Sequence, residues 1–258
     1  MDDAWLRALI ALPFGLVVGS FMTVAVHRMP KGESVVRPRS RCPSCGAVIG
    51  ARDNVPVLSW LLLRGRCRRC GTRISVAYPL LELATAAVVV LAATRHPDVW
   101  RAVLVGGLLA VMPAAALIDL RHRIIPNRLT YPALLLFPVV LGVAWISAAA
   151  VDPLRGLVGL LLYGGVLFLV AIVSRGMGMG DVKLAGLIGL VLGSLGLRYV
   201  GVAAGAAIVL GGVGGLVALA MGRSRKSAIP FGPYLATGAI VAGLLGEPIA
   251  AWYLGRFL

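Results

Sequence analysis

The feature that most constrains this chain is a series of long apolar stretches with almost no charged residues. A membrane-spanning helix needs about 20 predominantly apolar residues at a rise of 1.5 Å each, so these stretches can be counted as candidate spans. All of them are free of charge except the second, which contains Glu82, and the sixth is short. The stretches are residues 8–26, 74–94, 102–118, 129–151, 156–174, 184–197, 199–222 and 227–246.

The composition supports a membrane-embedded fold. Of the 258 residues, 59% are hydrophobic and only 14% are charged, and the mean hydropathy is +0.93, which is far from that of a soluble protein. The apolar runs lack the period-2 alternation of a transmembrane β-barrel, so helices must satisfy the backbone polar groups. The sequence therefore predicts an all-α polytopic membrane protein with about eight transmembrane helices. The short stretch 184–197 could form a thin, broken or re-entrant helix.

The positive charge is concentrated in four of the loops. Of the 25 Lys and Arg residues, 19 lie within residues 28–73, 121–128, 175–183 and 223–226. If all eight stretches cross, these loops share one face, which the positive-inside rule assigns to the cytoplasm, with both termini outside. The net charge of +15 is thus explained by orientation in the bilayer rather than by binding to nucleic acid. The sequence predicts a multi-pass protein of the plasma (inner) membrane.

The segment 29–75 is the only sizeable polar segment, and it divides the chain into a first span (1–28), this loop and a transmembrane bundle (76–258). It contains all four cysteines, Cys42, Cys45, Cys67 and Cys70, in the spacing C-x2-C-x21-C-x2-C. Such paired knuckles can present four thiolates to Zn²⁺ in a zinc ribbon, and a closed four-thiolate site is structural rather than catalytic. Two disulfides are the alternative, but they would require the basic loop to be extracytoplasmic.

Three acidic residues lie inside apolar stretches or near the ends predicted to be cytoplasmic, where desolvating a charge is costly. Asp119 ends the third stretch, Asp181 precedes the sixth, and Glu82 lies within the second. A salt bridge to Arg121 or Arg123 is the structural alternative for Asp119. For Glu82, binding of substrate and pairing with an arginine of the loop are both open.

Asp181 lies in the motif Gly-Met-Gly-Asp-Val-Lys-Leu, residues 178–184. Glycines without a Cβ allow positive φ and close backbone approach, which suits a peptide substrate lying against the acid. A flexible turn would explain the glycines but not the aspartate. Gly178, Gly180, Lys183 and Glu82 are therefore candidates for substrate approach, and Lys183 could also anchor the following helix at the membrane boundary.

Asp119 and Asp181 are predicted on the same side of the membrane, each at the end of a span. Two neighbouring carboxyl groups share one proton, because both cannot ionise cheaply. The ionised group can activate water while the protonated group polarises a scissile carbonyl. This pair can thus hydrolyse a peptide without a nucleophilic serine or a catalytic metal, and the histidines form no evident triad.

The sequence resembles the type IV prepilin leader peptidases. These are GxGD-type intramembrane aspartic proteases that in their bifunctional form also N-methylate the new amino terminus. The resemblance extends over nearly the whole chain and in the family's order. It rests on the motifs VGSFMTVAVHRMP, CPSCG, CRRCG, DNVPVLSW, YPLLE, LIDLRHRIIPNRLT, GMGMGDVKLAG and IPFGPYLA. The chain departs from the family pattern at Thr23, Ala77 and Asn127.

The resemblance implies catalytic roles for Asp119 and Asp181. It also implies cleavage after a glycine at the cytoplasmic membrane boundary, in prepilin or pseudopilin substrates with a basic leader before a hydrophobic helix. S-adenosylmethionine is implied as methyl donor, with the four-cysteine loop involved in that activity or its folding. No glycine-rich Rossmann loop supports a cofactor site independently.

Two other functions are consistent with part of the sequence. In a proton-coupled transporter, the membrane acids would relay protons and no peptide would be cleaved. In a scaffold protein of a secretion machine, neither aspartate would matter. The complete set of motifs favours the aspartic endopeptidase.

Overall fold

The computed structural model describes residues 3–174, 177–222 and 230–257, and this part of the chain is nearly all helical. Within it, no β-strand forms beyond two isolated bridges. The predicted all-α architecture is therefore confirmed. The helices are α1 (Ala4–Arg28), α2 (Leu58–Leu62), α3 (Ala77–Arg95), α4 (Val99–His122), α5 (Asn127–Ile146), α6 (Pro153–Ser174), α7 (Met179–Leu195), α8 (Leu197–Ala220) and α9 (Gly232–Phe257).

Among the described residues, seven helices are long and apolar enough to cross a membrane: α1, α3, α4, α5, α6, α8 and α9. They coincide with the seven long apolar stretches of the sequence. Many large apolar side chains on these helices are exposed, among them Leu135, Ile146 and Val173. Exposed apolar surface of this extent is expected of helices that face lipid.

The eighth apolar stretch forms α7, a continuous helix of 17 residues. At 1.5 Å per residue it is about 25 Å long, close to the lower limit for a membrane span. Every residue from Leu184 to Leu195 is buried, because α4, α5, α6, α8 and α9 all contact this helix. The short stretch is thus an unbroken central helix, shielded by its neighbours along most of its length.

The closest helix packing joins α6 to α7. A Cβ atom on Gly159 would collide with the backbone carbonyl of Gly189, and one on Gly193 would lie 2.8 Å from the carbonyl oxygen of Arg155. Small residues allow helix backbones to approach in this way in membranes. The glycines of these two helices therefore hold α7 at the centre of the bundle.

Loop 29–75 leaves the bundle at the end of α1 and returns at the start of α3. Because successive spans run antiparallel, the carboxyl end of α4 and the amino ends of α5, α7 and α9 lie on the same side as this loop. Arg128, at the start of α5, donates a hydrogen bond of 2.6 Å to the carbonyl oxygen of Gly32, as this arrangement requires. We call this the loop side of the bundle.

Candidate functional site

Asp119 lies in the last turn of α4 and is buried, with 5% of its surface exposed. Its Oδ2 atom accepts a hydrogen bond of 2.8 Å from the backbone N–H of Gly232, at the start of α9. Arg123 ends the helix in a left-handed conformation (φ 55°) and donates its N–H to the Asp119 carbonyl oxygen. Within the described residues, Asp119 forms no salt bridge to Arg121 or Arg123, whose side chains are exposed.

Asp181 lies in the first turn of α7 and is partly buried. Its backbone N–H donates a hydrogen bond of 3.1 Å to the carbonyl oxygen of Gly178. The side-chain Oδ1 atom is buried and has no hydrogen-bond partner among the described residues. A buried oxygen without a donor is costly in a native structure and calls for an explanation such as a role in chemistry.

The fold brings the two aspartates together on the loop side of the bundle. Their carboxyl groups are close enough to interact electrostatically, and α4 contacts α7. The contact continues just beyond α4, where a Cβ on Gly180 would lie only 2.9 Å from the Cβ of Ile125. Asp119, Asp181 and the Gly232 amide therefore form one cluster, which we call the carboxylate pair and its amide donor.

The glycines beside Asp181 differ in conformation from the sequence expectation. Gly178 is the N-cap of α7 with φ −75°, and Gly180 lies in the first helical turn, so neither adopts positive φ. At Gly180 the space that a side chain would fill is taken by Ile125. The motif thus forms the start of a helix rather than a loop before it, and the missing Cβ of Gly180 allows the approach to Ile125.

Lys183 extends from α7 toward α5. Its Nζ atom donates a hydrogen bond to Oδ1 of Asn127 and lies 4.9 Å from the centre of the Tyr131 ring. A cation over an aromatic face is a favourable contact. Lys183 thus links two helices at the loop side, and an approach of substrate to this residue stays a prediction.

Glu82 occupies a different place, where α3 meets α1 and the loop. It is 8% exposed, and its Oε2 atom accepts a hydrogen bond of 2.7 Å from the backbone N–H of Val57. Within the described residues it has no salt bridge to an arginine. The loop therefore does bind Glu82, but through a backbone amide rather than through a charged side chain.

The four cysteines converge in the loop. Their Sγ atoms all lie within 4.8 Å of one another, and those of Cys42 and Cys70 are 3.7 Å apart. All four are free thiols. Tetrahedral coordination with Zn–S bonds of about 2.3 Å places sulfur atoms about 3.8 Å apart, so the cluster could hold a metal ion such as zinc.

The two knuckles repeat the same backbone geometry. In each, the first cysteine accepts a hydrogen bond from the amide of the glycine that follows the second cysteine, Gly46 or Gly71. Both glycines adopt positive φ, 68° and 71°. Glycine adopts this conformation without a steric penalty, which explains why each pair of cysteines is followed by one.

The amide of Gly232 is the part of the site that the sequence does not reveal. The two prolines and the glycine of residues 229–234 predict a rigid re-entry into the last span that could line the site. Residue 229 lies outside the described residues, but from Pro230 onward the chain leads directly into α9. A backbone donor leaves no signature in residue type.

Comparisons with known proteins cover almost the whole chain. Residues 13–96 match the family model described as the bacterial peptidase A24 N-terminal domain, and residues 106–245 match the type IV leader peptidase family. The prepilin leader peptidase/N-methyltransferase of Aeromonas hydrophila is 35% identical over 98% of this chain and 96% of its own length. The protein of the same name in Bacillus subtilis is 35% identical over 93% and 95%.

A third relative, the type 4 prepilin-like proteins leader peptide-processing enzyme of Escherichia coli O78:H11, is 36% identical over 88% of this chain and 89% of its own length. No solved structure matches the chain significantly.

Proposed function

Because this chain belongs to the type IV leader peptidase family, we propose that it removes the basic leader from type IV prepilins or pseudopilins, with Asp119 and Asp181 as the catalytic residues. The observation that carries this proposal is that the two carboxyl groups lie at the loop-side ends of α4 and α7, two helices in contact, and that the buried Oδ1 atom of Asp181 has no hydrogen-bond partner among the described residues. The relatives named above act on prepilins or prepilin-like proteins according to their names.

In the proposed reaction the carboxylate pair holds one proton. The ionised carboxylate removes a proton from a water molecule, whose oxygen forms a bond to the scissile carbonyl carbon, while the protonated carboxyl group donates its proton to the carbonyl oxygen. The tetrahedral intermediate then returns one proton to the pair as the carbonyl re-forms. The C–N bond breaks, and the leaving amine takes up the proton that the first carboxylate removed from water.

The Gly232 amide supports this chemistry by fixing the position of Asp119. An N–H donor on Oδ2 selects one orientation of the carboxyl group, which leaves Oδ1 as the atom available to water or substrate. Preorganised groups of this kind lower the barrier because they need not reorganise during the reaction.

We place cleavage at the cytoplasmic face of a plasma membrane, with both termini of the chain on the opposite face. The argument is the concentration of Lys and Arg in the loops that the carboxylate pair adjoins, together with the positive-inside rule. A substrate held in the bilayer by its hydrophobic helix would then present its basic leader to this face.

The bifunctional relatives suggest a second reaction, N-methylation of the new amino terminus. The donor would be S-adenosylmethionine, whose sulfonium loses its methyl group to the free amine while the amine loses a proton. The four-cysteine loop would serve this activity or its folding. No residue of the described chain is assigned to that chemistry, and no observation favours the proton-coupled transporter.

We propose that the metal in the cysteine cluster is a structural zinc ion. Four thiolates fill a tetrahedral site and leave no open position for a substrate or water. Purified protein should contain about one equivalent of zinc per chain, and Cys42→Ser or Cys67→Ser should remove it. Native thiols linked as disulfides would contradict both the metal and the cytoplasmic location of the loop.

The function is tested by incubating the purified full chain with a synthetic membrane peptide that carries a basic leader, a glycine and a hydrophobic helix. Mass spectrometry should show cleavage after the glycine and, with S-adenosylmethionine present, the added mass of one methyl group. Asp181→Asn should abolish cleavage, whereas the exposed control Asp3→Asn should not. Cleavage at unrelated positions, or none by the unmodified chain, would contradict the proposal, and an unmethylated product would contradict only the second reaction.

A further inference from the structure

An open pocket of about 600 Å³ lies where the second cysteine knuckle joins α3. Its lining includes Trp60 and three arginines, Arg64, Arg66 and Arg73, together with residues 74–76 immediately before the helix. All three arginines are exposed. None of them forms a salt bridge with a described residue, so the pocket is positively charged and contains no compensating acid from this part of the chain.

Two of these arginines face each other directly. Arg66 and Arg73 are the partners of an isolated antiparallel bridge, flanked by the hydrogen bonds from Cys67 N to Thr72 O and from Ile74 N to Gly65 O. This is the non-hydrogen-bonded pairing, in which Cα atoms are about 4.5 Å apart and side chains are closest. Like charges at such positions repel, and an anion between them would remove the repulsion.

The first knuckle provides an internal comparison. Arg41 occupies the position equivalent to Arg66, with the same backbone hydrogen bonds, but its partner is Val48. The like-charged pair is therefore not required by the knuckle geometry. It occurs only in the knuckle that adjoins a membrane-spanning helix.

The pocket lies beside the start of α3, which is long and apolar enough to cross a membrane. The backbone N–H of Val57 donates a hydrogen bond to Glu82. Glu82 lies about 7.5 Å from the start of α3 along the helix axis. The chain before α2 therefore lies beside the first turns of this span. The short helix α2 then exposes three leucines, Leu58, Leu61 and Leu62, at 51%, 58% and 73%. Trp60 donates its Nε1–H to the carbonyl oxygen of Ile74, and tryptophan is enriched at membrane interfaces.

We propose that this pocket binds the phosphate headgroup of an anionic phospholipid from the leaflet on the loop side. Arg66 and Arg73 bracket the phosphate, Arg64 adds a third positive charge, and the leucines of α2 contact the acyl chains. Apolar residues beside clustered arginines are the combination by which proteins bind anionic membrane surfaces. The lipid would fix the cysteine loop against the bundle, and this inference does not depend on the proposed peptidase activity.

The experiment is native mass spectrometry of the full chain purified with equal amounts of phosphatidylglycerol and phosphatidylcholine. The unmodified chain should retain phosphatidylglycerol preferentially, and Arg66→Gln combined with Arg73→Gln should weaken that retention about tenfold or more. Arg39→Gln combined with Arg41→Gln is the matched control, because it removes two exposed arginines of the same loop, one of them at the backbone position equivalent to Arg66. It should leave lipid retention unchanged.

Three results would overturn the inference. The first is equal retention of both lipids by the unmodified chain, which decides the question even if the double variant fails to fold. The second is a folded double variant, identified by its unfolding temperature, that retains as much phosphatidylglycerol as the unmodified chain. The third is displacement of bound phosphatidylglycerol by inorganic phosphate at equal concentration, which would indicate a site for the free anion rather than for a lipid.

Discussion

The carboxyl group of Asp119 is held by an unusually small neighbour. A Cβ atom on Gly232 would lie 2.7 Å from Oδ2 of Asp119 and 3.0 Å from both its Cβ and Cγ. Glycine at this position therefore does two things at once: it lets α9 approach α4, and it directs a backbone donor at the carboxylate.

Replacing Gly232 with alanine should displace Asp119 and slow peptide cleavage by on the order of 10²-fold, because small misplacements of catalytic groups have effects of this size. The measurement is the single-turnover cleavage rate at saturating enzyme. Gly205→Ala on α8, where a Cβ meets nothing within 4 Å, is the control and should cleave normally. An unchanged rate in the Gly232→Ala variant would show that this contact does not position the acid.

Functional residues could be predicted where placing the side chain in apolar surroundings costs free energy. Asp119 and Asp181 were identifiable because carboxyl groups at the edge of apolar helices require a reason. The Gly232 amide was not, since its bond to Asp119 spans 113 residues and involves no distinctive side chain. Glu82 was identifiable as unusual, but its partner, the Val57 amide, follows from the path of the loop and could not be predicted.

Among the helices, the contact between α6 and α7 determines where Asp181 lies. Gly159 and Gly189 meet backbone to backbone, so the position of α7 depends on the absence of side chains. Gly165, on another face of α6, meets nothing within 4 Å. Gly159 and Gly165 are both on α6, but only at Gly159 would a side chain collide with the backbone of α7.

Gly159→Ala should destabilise the protein by about 1–3 kcal/mol or more, because the added methyl group must separate two tightly packed helices. Gly165→Ala should leave stability nearly unchanged. Thermal unfolding of both variants in the same detergent compares them directly. Equal unfolding temperatures would mean that the close approach of α6 and α7 does not contribute to stability.

Helix boundaries were less predictable than helices. Charged residues marked the ends of most apolar stretches, but helix ends differ from them in both directions: α5 ends at Ile146, before its stretch does, and α9 continues to Phe257, well beyond its stretch. For α7 the apolar stretch starts at Leu184, but the helix starts at Met179. The absence of a side chain at Gly180 allows the first turn of α7 to pack against Ile125. This tertiary contact stabilises a helical turn that contains polar residues.

By contrast, the cysteine cluster follows from local spacing alone.

For the whole molecule, the order of the spans explains why residues distant in sequence meet. An even number of crossings separates the loop, the end of α4 and the start of α7, and this parity could be counted from the sequence. The sequence could not give the order of helices around α7 or the distance between the acids. Those depend on packing among glycines and apolar side chains whose patterns are alike in every span.

The central claim is that Asp119 and Asp181 act as one catalytic unit. It is tested most directly by single-turnover cleavage with Asp119→Asn, Asp181→Asn and the double variant, each checked for normal thermal unfolding. Because residues that act as a unit are not additive, each single substitution should slow cleavage on the order of 10³-fold or more, and the double substitution should be no slower. Normal cleavage by either single variant would contradict the claim.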